Sequence, residues 1–188
     1  MNDHRTVLLG LVKANCSRDR QIVGAEVGVA TGRTSAVLLE GIPNLKLYMV
    51  DRWAPYPSDH PYALRGDHEA TADIACHERR KSLATTATNK WARRRTLVQA
   101  ETIDAPGLVH ELLDFMFIDA DHHEDGCYRD MVAWYPKLKA GGLFCGHDYG
   151  KREFGVTQAV NRFCEERGID VIEAGHSVWC STLKKDQG

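Results

Sequence analysis

The segment QIVGAEVGVATG, residues 21–32, decides the fold. It starts with a strand-like apolar run, Gln21–Val29, and ends in a Thr-Gly turn that leads into a helix at about Thr34–Leu39. An apolar run at Leu45–Val50 then predicts a second strand, which ends at Asp51. Strand, turn, helix and strand in this order are typical of a parallel sheet with crossover helices.

The same alternation of strand-like and helix-like periodicity continues along the rest of the chain. Further strands and helices are predicted, in chain order, at Thr96–Ala100, Ala105–Glu111, Leu113–Ile118, Glu124–Leu138, Leu143–Gly146 and Gly155–Arg167. The last two strands, Asp170–Glu173 and Ser177–Leu183, are separated by three residues. That gap is too short for a crossover helix, so they must form an antiparallel hairpin. The pattern predicts an α/β, doubly wound, Rossmann-like sheet of seven strands, with an antiparallel last strand and helices on both faces.

The length of 188 residues accommodates one domain, so we expect residues 1–188 to fold as a single unit. Residues 1–20 are predicted to form an N-terminal extension with a helix at Val7–Asn15. Periodicity is lost at the start of residues 53–92, in a stretch rich in Pro, Tyr and His, and a polar helix follows. Irregular segments of this length are usually lids or binding loops. We therefore expect residues 53–92 to be an insertion that acts as a lid.

The composition, 43% hydrophobic and 27% charged, is that of an ordinary soluble protein. The longest apolar runs are strand-sized, well below the roughly 18 to 20 residues of a membrane span, and the polar start MNDHR lacks the core of a signal peptide. We expect a cytoplasmic protein that does not bind membranes. A net charge of -2 argues against general nucleic-acid binding. The basic run WARRR, residues 91–95, is predicted to be a solvated helix end rather than a patch that binds an anionic ligand.

Two glycines and two acids lie at the first two strand ends. Gly28 and Gly32 let the backbone turn tightly and approach a ligand, but such a turn is also common without one. Asp51 strengthens the case, because a carboxylate at that strand end can accept both hydroxyls of a ribose. A nicotinamide enzyme would share this acid but would normally show GxGxxG, and Glu26 replaces the first of those glycines. A carboxylate there suits a ligand with a cationic amino-acid end and no phosphates.

The segment Glu26–Gly32, followed by Asp51, resembles the first two motifs of class I S-adenosylmethionine (SAM)-dependent methyltransferases. The predicted terminal hairpin also resembles the sheet of that family, so the resemblance covers Gln21–Leu183. It implies a SAM site at successive strand ends, formed by Glu26, Gly28, Gly32, Asp51, Ala100, Glu101 and Asp119. The first three would line the methionine part of SAM, Asp51 would bind its ribose, and Ala100 with Glu101 would lie by its adenine.

Acids and histidines follow the fourth and fifth predicted strands, in FIDADHHE, residues 117–124, and GHDY, residues 146–149. Neighbouring strand ends of a parallel sheet place such metal-ligand types around one spot. The alternative is that Asp121 caps a helix and that the two following histidines are solvated.

This arrangement resembles the metal-assisted O-methyltransferases of the catechol and caffeoyl-CoA type. It is closer to bacterial sugar and macrolide methyltransferases, whose strands end in Asp-x-x-His and Gly-His-Asp-Tyr. The resemblance implies that Asp119 and Asp148 bind a divalent cation, with either Asp121 or His147 completing the set. Carboxylates and water would favour Mg²⁺, whereas coordination by His147 would favour Mn²⁺, Fe²⁺ or Zn²⁺. His122 is the candidate general base, because it stands where the caffeoyl-CoA type has a catalytic Lys.

Two other functions are compatible with parts of the sequence. Asp121-His122-His123 also matches the motif of DHH phosphoesterases, but those two-metal hydrolases need further acidic motifs on earlier strands. A non-catalytic module that binds SAM without turnover is the other alternative. The acceptor is expected to be a small polar or glycosylated molecule, because Trp53–His68 could form a partly aromatic pocket. The same stretch would suit a contact between subunits, so a homo-oligomer stays open.

Overall fold

The computed structural model describes residues 3–17, 19–64, 66, 68–151 and 155–182. Seven strands form one sheet, namely β1 Ile22–Val27, β2 Leu45–Asp51, β3 Arg95–Gln99, β4 Leu113–Ile118, β5 Leu138–Gly146, β6 Ile172–Gly175 and β7 Val178–Thr182. The helices are α1 His4–Asn15, α2 Arg33–Gly41, α3 Pro61–Leu64, α4 His68–Thr71, α5 Ile74–Ala87, α6 Glu124–Trp134 and α7 Val156–Arg167. Single 3₁₀ turns lie at Asn89–Trp91, Ala105–Leu108 and Tyr135–Lys137.

The strand order is β3-β2-β1-β4-β5-β7-β6. The first five strands run parallel, whereas β7 is antiparallel to both β5 and β6. The turn between β6 and β7 is tight, and Gly175, His176 and Ser177 all have positive φ. The predicted doubly wound sheet with a reversed last strand is therefore confirmed.

Helices cover both faces of the sheet. On one face α1 and α2 contribute buried residues such as Leu8 and Leu38, and on the other α6 and α7 contribute Met131, Trp134 and Phe163. In the part of the chain that the structure describes, no helix is long and apolar enough to cross a membrane. The two layers of helices leave the carboxyl ends of the parallel strands as the place where a ligand can bind.

Several predicted helix boundaries were wrong, for identifiable reasons. The helix expected at Ala105–Glu111 is a single 3₁₀ turn that contains Pro106 and Gly107, two residues that disfavour a helix interior. The helix expected to run to Leu138 ends at Trp134 and tightens into a 3₁₀ turn, because Pro136 has no N–H to continue the α-helical hydrogen bonds. Helix α1 begins earlier than expected, because the Asp3 carboxylate accepts hydrogen bonds from two backbone amides of its first turn.

Strand β5 begins at Leu138, five residues before the predicted start at Leu143. Its first half contains Gly141, which has a φ of 76°, and the register with β4 shifts in this region. Such a β-bulge breaks the alternation of buried and exposed residues. The lost alternation explains why periodicity missed the start of the strand.

The basic run of residues 91–95 is not simply a solvated helix end. Arg94 donates hydrogen bonds to the backbone carbonyls of Leu39, Ile42 and Leu45, at 2.7, 2.9 and 3.3 Å. These carbonyls lie in the last turn of α2, directly after it and at the first residue of β2, and acceptors at a helix end lack helical partners. The prediction was thus wrong for Arg94, whose role is to tie α2 to the sheet.

Candidate active site

The glycine turn after β1 is shaped by close backbone contacts. Gly28 has a φ of 95°, and a Cβ atom there would lie 1.9 Å from the carbonyl oxygen of Asp119. Gly32 has a φ of 74°, and its Cβ would lie 2.8 Å from the Cα of Ala84 on α5. Both positions therefore require glycine. Gly28 lines the cavity at the strand ends, whereas Gly32 is not among its lining residues and acts by packing against α5.

Asp51 holds this turn in place through its carboxylate. One oxygen accepts hydrogen bonds from the backbone amides of Val29 and Ala30, at 2.9 and 2.8 Å. The other accepts from the amide of Trp53 at 2.7 Å, and the Trp53 indole in turn donates to the Ala30 carbonyl at 2.9 Å. Oδ2 thus uses both of its lone pairs, whereas Oδ1 keeps one. Asp51 also lines the cavity, so Oδ1 can accept a hydrogen bond from a ligand while the carboxylate supports the turn.

Glu26 is a buried acid in the floor of the same cavity. Its side chain is 2% exposed, and it accepts a hydrogen bond from the Ser35 hydroxyl. Burial raises the pKa of Glu26 to about 8, against the effect of Ser35 and with a contribution from the charges of Asp119 and Asp51. A cationic ligand group would favour the ionised form of this carboxyl group.

Four side chains converge where β4 and β5 end. His122 Nε2 lies 2.9 Å from Asp148 Oδ2 and 3.8 Å from Asp119 Oδ1. His147 Nδ1 lies 3.0 Å from Asp148 Oδ1 and 3.6 Å from Asp119 Oδ1. One potential ligand atom from each of Asp119, His122 and Asp148 lies within 4.8 Å of the others. Lys151 Nζ also contacts Asp148 Oδ1, at 2.5 Å.

The surroundings of His147 define which of its nitrogens faces the acids. Its Nε2 lies 3.2 Å from the carbonyl oxygen of His176, which can only accept, so Nε2 carries a proton. Burial lowers the pKa of His147, but hydrogen bonds to Asp119 and Asp148 outweigh it and raise the pKa to about 9. Burial likewise raises the pKa of each acid, and hydrogen bonds from His122 and His147 outweigh it and lower both pKa values. The acids are therefore anionic at neutral pH, and Nδ1 carries a proton that a cation could replace.

Tyr62 is a site residue that the sequence analysis did not identify. Its hydroxyl lies 3.1 Å from His122 Nδ1, and its ring is 3% exposed and packs edge-on against Tyr56. An ionised Asp148 can only accept a hydrogen bond, so His122 Nε2 carries a proton and Nδ1 of the neutral ring accepts from the Tyr62 hydroxyl. The Tyr- and His-rich composition of this stretch was the available signal, but it did not specify which ring would reach His122.

Three predicted residues lie elsewhere. Asp121 accepts a hydrogen bond from the His123 amide at 2.7 Å and lines a second cavity, so the structure brings His147 rather than Asp121 to the acids at the ends of β4 and β5. Glu101, whose side chain is 51% exposed, pairs with Arg52 at 3.2 Å and lines the same second cavity. Ala100 donates its backbone amide to the Asp51 carbonyl and lines neither cavity.

The first cavity unites the two predicted halves of the site. It has a volume of about 400 Å³. The residues around it come from the glycine turn, the β2 end and the ends of β4 and β5, and include Glu26, Gly28, Asp51, Asp119, His122, His147 and Asp148. Helices α1 and α5 add His4, Arg5, His77 and Arg80. A ligand that touches the glycine turn can thus also reach the cluster of acids and histidines.

This sheet, with its reversed β7 and a cavity that spans the glycine turn and the β2 acid, is that of a class I SAM-dependent methyltransferase. A family model described as a methyltransferase domain matches residues 25–149, and the chain belongs to this family. A comparison with curated protein sequences finds no match.

Solved structures share this fold at low sequence identity. The O-methyltransferase NovP is 15% identical, with 95% of this chain and 80% of that chain covered and a TM-score of 0.65. The O-methyltransferase from Bacillus cereus in complex with SAH is 14% identical, with 96% and 80% covered and a TM-score of 0.68. The calicheamicin methyltransferase CalS11 is 14% identical, with 96% and 79% covered and a TM-score of 0.66. At these identities the likeness concerns the fold.

Proposed function

We propose that the chain transfers the methyl group of SAM to a hydroxyl of a small polar or glycosylated acceptor, with the help of a divalent cation. The observation that carries this proposal is the convergence of His122 and His147 with Asp119 and Asp148 in the cavity that also contains the glycine turn. The names of the solved neighbours NovP and the Bacillus cereus enzyme, both O-methyltransferases, support oxygen as the methylated atom.

The cofactor would lie along the first three strand ends. Glu26 suits the cationic amino group of the methionine part, because it is a buried carboxyl group with few other partners for its charge. Gly28 allows the cofactor to approach the backbone, and Asp51 would accept a ribose hydroxyl through the remaining lone pair of Oδ1. SAM supplies a methyl group that is already activated by the positive sulfur, so the chain has mainly to align it with the acceptor oxygen.

Asp119, His147 and Asp148 would hold the divalent cation. Two anionic carboxylates and one imidazole are suitable donors, and the His176 carbonyl fixes the tautomer that presents Nδ1 to them. The imidazole shifts the expected preference from Mg²⁺ toward Mn²⁺, Fe²⁺ or Zn²⁺. A cation bound there supplies positive charge that lowers the pKa of an acceptor hydroxyl.

His122 would act as the general base. Its ring is held between the Tyr62 hydroxyl at Nδ1 and Asp148 at Nε2. A tyrosine hydroxyl can donate or accept, so Tyr62 can support either neutral tautomer of His122. If Asp148 bound the cation instead of His122, Nδ1 could donate to Tyr62, and Nε2 would have a lone pair that could take the proton of the acceptor.

Metal-independent O-methylation by the same residues is the second candidate. It is favoured by the contacts that Asp148 already makes with His122, His147 and Lys151. These three groups can balance the charge of the two acids without a cation. In this version Asp148 orients His122 through Nε2, and the acceptor's proton would pass through the Tyr62 hydroxyl to Nδ1.

Calorimetric titration of the purified protein with Mn²⁺ tests the metal. We expect Asp119→Asn and Asp148→Asn each to weaken Mn²⁺ binding at least tenfold, whereas Asp121→Asn, at a nearby acid outside the cluster, should not. Binding of S-adenosylhomocysteine should be retained in all three variants, which checks that they are folded. Methyl transfer to a panel of hydroxyl compounds should stop in excess EDTA. Full activity in EDTA, with no metal in the purified protein, would establish the metal-independent version instead.

A further inference from the structure

A second cavity adjoins the first at the ends of β3 and β4. It has a volume of about 490 Å³ and shares Tyr56 and Thr102 with the first cavity. Its other walls include the apolar side chains of Pro61 and Ile103. A ligand that fills the first cavity can therefore extend into the second.

Asp130, on α6, lines this second cavity, and one of its acceptor atoms has no protein partner. The side chain is 1% exposed, and its Oδ1 accepts a hydrogen bond from the Thr102 hydroxyl at 2.5 Å. Thr102 is fixed in turn, because the Trp134 indole donates to its carbonyl at 2.8 Å. Asp130 Oδ2 is buried and has no hydrogen-bond partner among the described residues. A buried acceptor without a partner is rare in native proteins and suggests a donor that is supplied by a ligand.

The position of the cavity indicates what that ligand group is. Asp51, the acid that suits a ribose, is directly opposite Gln99 on β3 in the sheet register. The second cavity lies just beyond that strand, at Glu101, Thr102 and Ile103. A base attached to a ribose at Asp51 can therefore reach this cavity, and the adenine of SAM carries an exocyclic amine, which is a hydrogen-bond donor.

We propose that Asp130 recognises the exocyclic amine of the cofactor's adenine through Oδ2, and so makes the enzyme specific for adenine over bases that lack this amine. Oδ1 is held by Thr102, so the carboxylate has one free acceptor in a fixed orientation. Burial raises the pKa of Asp130 to about 7, against the Thr102 hydrogen bond, and an amine donor would favour the ionised acceptor form. Glu101 is less suited, because it is half exposed and pairs with Arg52.

Calorimetry with two ligands tests this assignment. S-adenosylhomocysteine carries the amine, whereas S-inosylhomocysteine has a carbonyl at the same position. We expect the wild-type protein to bind the adenosyl compound about tenfold or more tightly, as for loss of one hydrogen bond to a charged group. In Asp130→Asn the amide can present its NH₂ to the carbonyl of the inosyl compound, so the preference should disappear or invert. The matched control is Asp125→Asn, an exposed acid of α6 that lines the same cavity, and it should keep the wild-type preference.

Equal affinity of the wild-type protein for the two compounds would overturn the assignment, and so would an unchanged preference in Asp130→Asn. The comparison of the two compounds on the wild-type protein tests the assignment even if Asp130→Asn does not fold. The inference rests on the use of SAM, which family membership gives, and not on the proposed cation. The ligand preference can be measured in EDTA, so a failure of the metal proposal would leave this test unaffected.

Discussion

Arg94 connects helix α2 to the sheet through three backbone carbonyls, those of Leu39, Ile42 and Leu45. We expect Arg94→Met, which keeps the apolar stem of the side chain, to lower the free energy of unfolding by roughly 2 kcal/mol, because acceptors at a helix end lose a charged donor. Urea denaturation measures the change. Arg93→Met is the control, because Arg93 is exposed on the same run, and its effect should stay within about 0.5 kcal/mol. Equal effects of the two substitutions would mean that the Arg94 contacts do not stabilise the fold.

Among the site residues, the sequence identified those at strand ends better than those on other elements. The strand-end residues, which all lie at or directly after the carboxyl end of a strand and all line one cavity, are Glu26, Asp51, Asp119, His147 and Asp148. Tyr62 reaches His122 from a short helix inside an aperiodic stretch, so no spacing rule could place it. Which of Asp121 and His147 joins the acids likewise depended on how the chain turns after each strand.

The glycine turn is the element that positions the cofactor half of the site. We expect Gly28→Ala to destabilise the protein by about 3 kcal/mol or more, because the new Cβ would overlap the Asp119 carbonyl and because alanine is strained at a φ of 95°. Gly10→Ala is the matched control: Gly10 lies within α1, and a Cβ there meets no atom within 4 Å. That substitution should stabilise by about 0.5 to 1 kcal/mol. Thermal unfolding of both variants measures the difference, and a mild effect at Gly28 would show that the β4 end can move to make room.

Strands were predicted more accurately than helices, for a physical reason. β1, β2 and β4 are buried along almost their whole length, so their apolar runs are unambiguous. The ends of the helices depend on single residues. Pro136 determines where α6 ends, and the capping side chain of Asp3 determines where α1 begins. The start of β5 was missed because a bulge interrupts its alternation.

Buried acids give the whole molecule an unusual dependence of stability on pH. The pKa of Glu26 is about 8 in the folded protein against an ordinary value of 4.5, and that of Asp130 is about 7 against 3.8, in both cases mainly because of burial. At any pH between the ordinary pKa of an acid and its pKa in the folded protein, the folded state binds more protons than the unfolded state. The free energy of unfolding therefore falls as pH rises through each window. Both acids line cavities, so the same burial that costs stability prepares sites for cationic or N–H-donating ligand groups.

Glu26→Gln isolates one of these contributions, because the other titrating groups are shared with the wild-type protein and cancel in the difference. Below pH 4.5 Glu26 is protonated in both states, so the substitution should have a nearly constant effect there. From pH 4.5 to 8 the wild-type protein loses stability that the variant keeps, since glutamine does not ionise. We therefore expect Glu26→Gln to become progressively more stable than the wild type between pH 5 and about pH 8 in urea titrations with EDTA and without SAM. Glu78→Gln, at an exposed position of α5, should follow the wild-type curve. Parallel curves for Glu26→Gln and the wild type would mean that Glu26 is ionised in the folded protein at neutral pH, with a counter-charge that stabilises it before any cofactor binds.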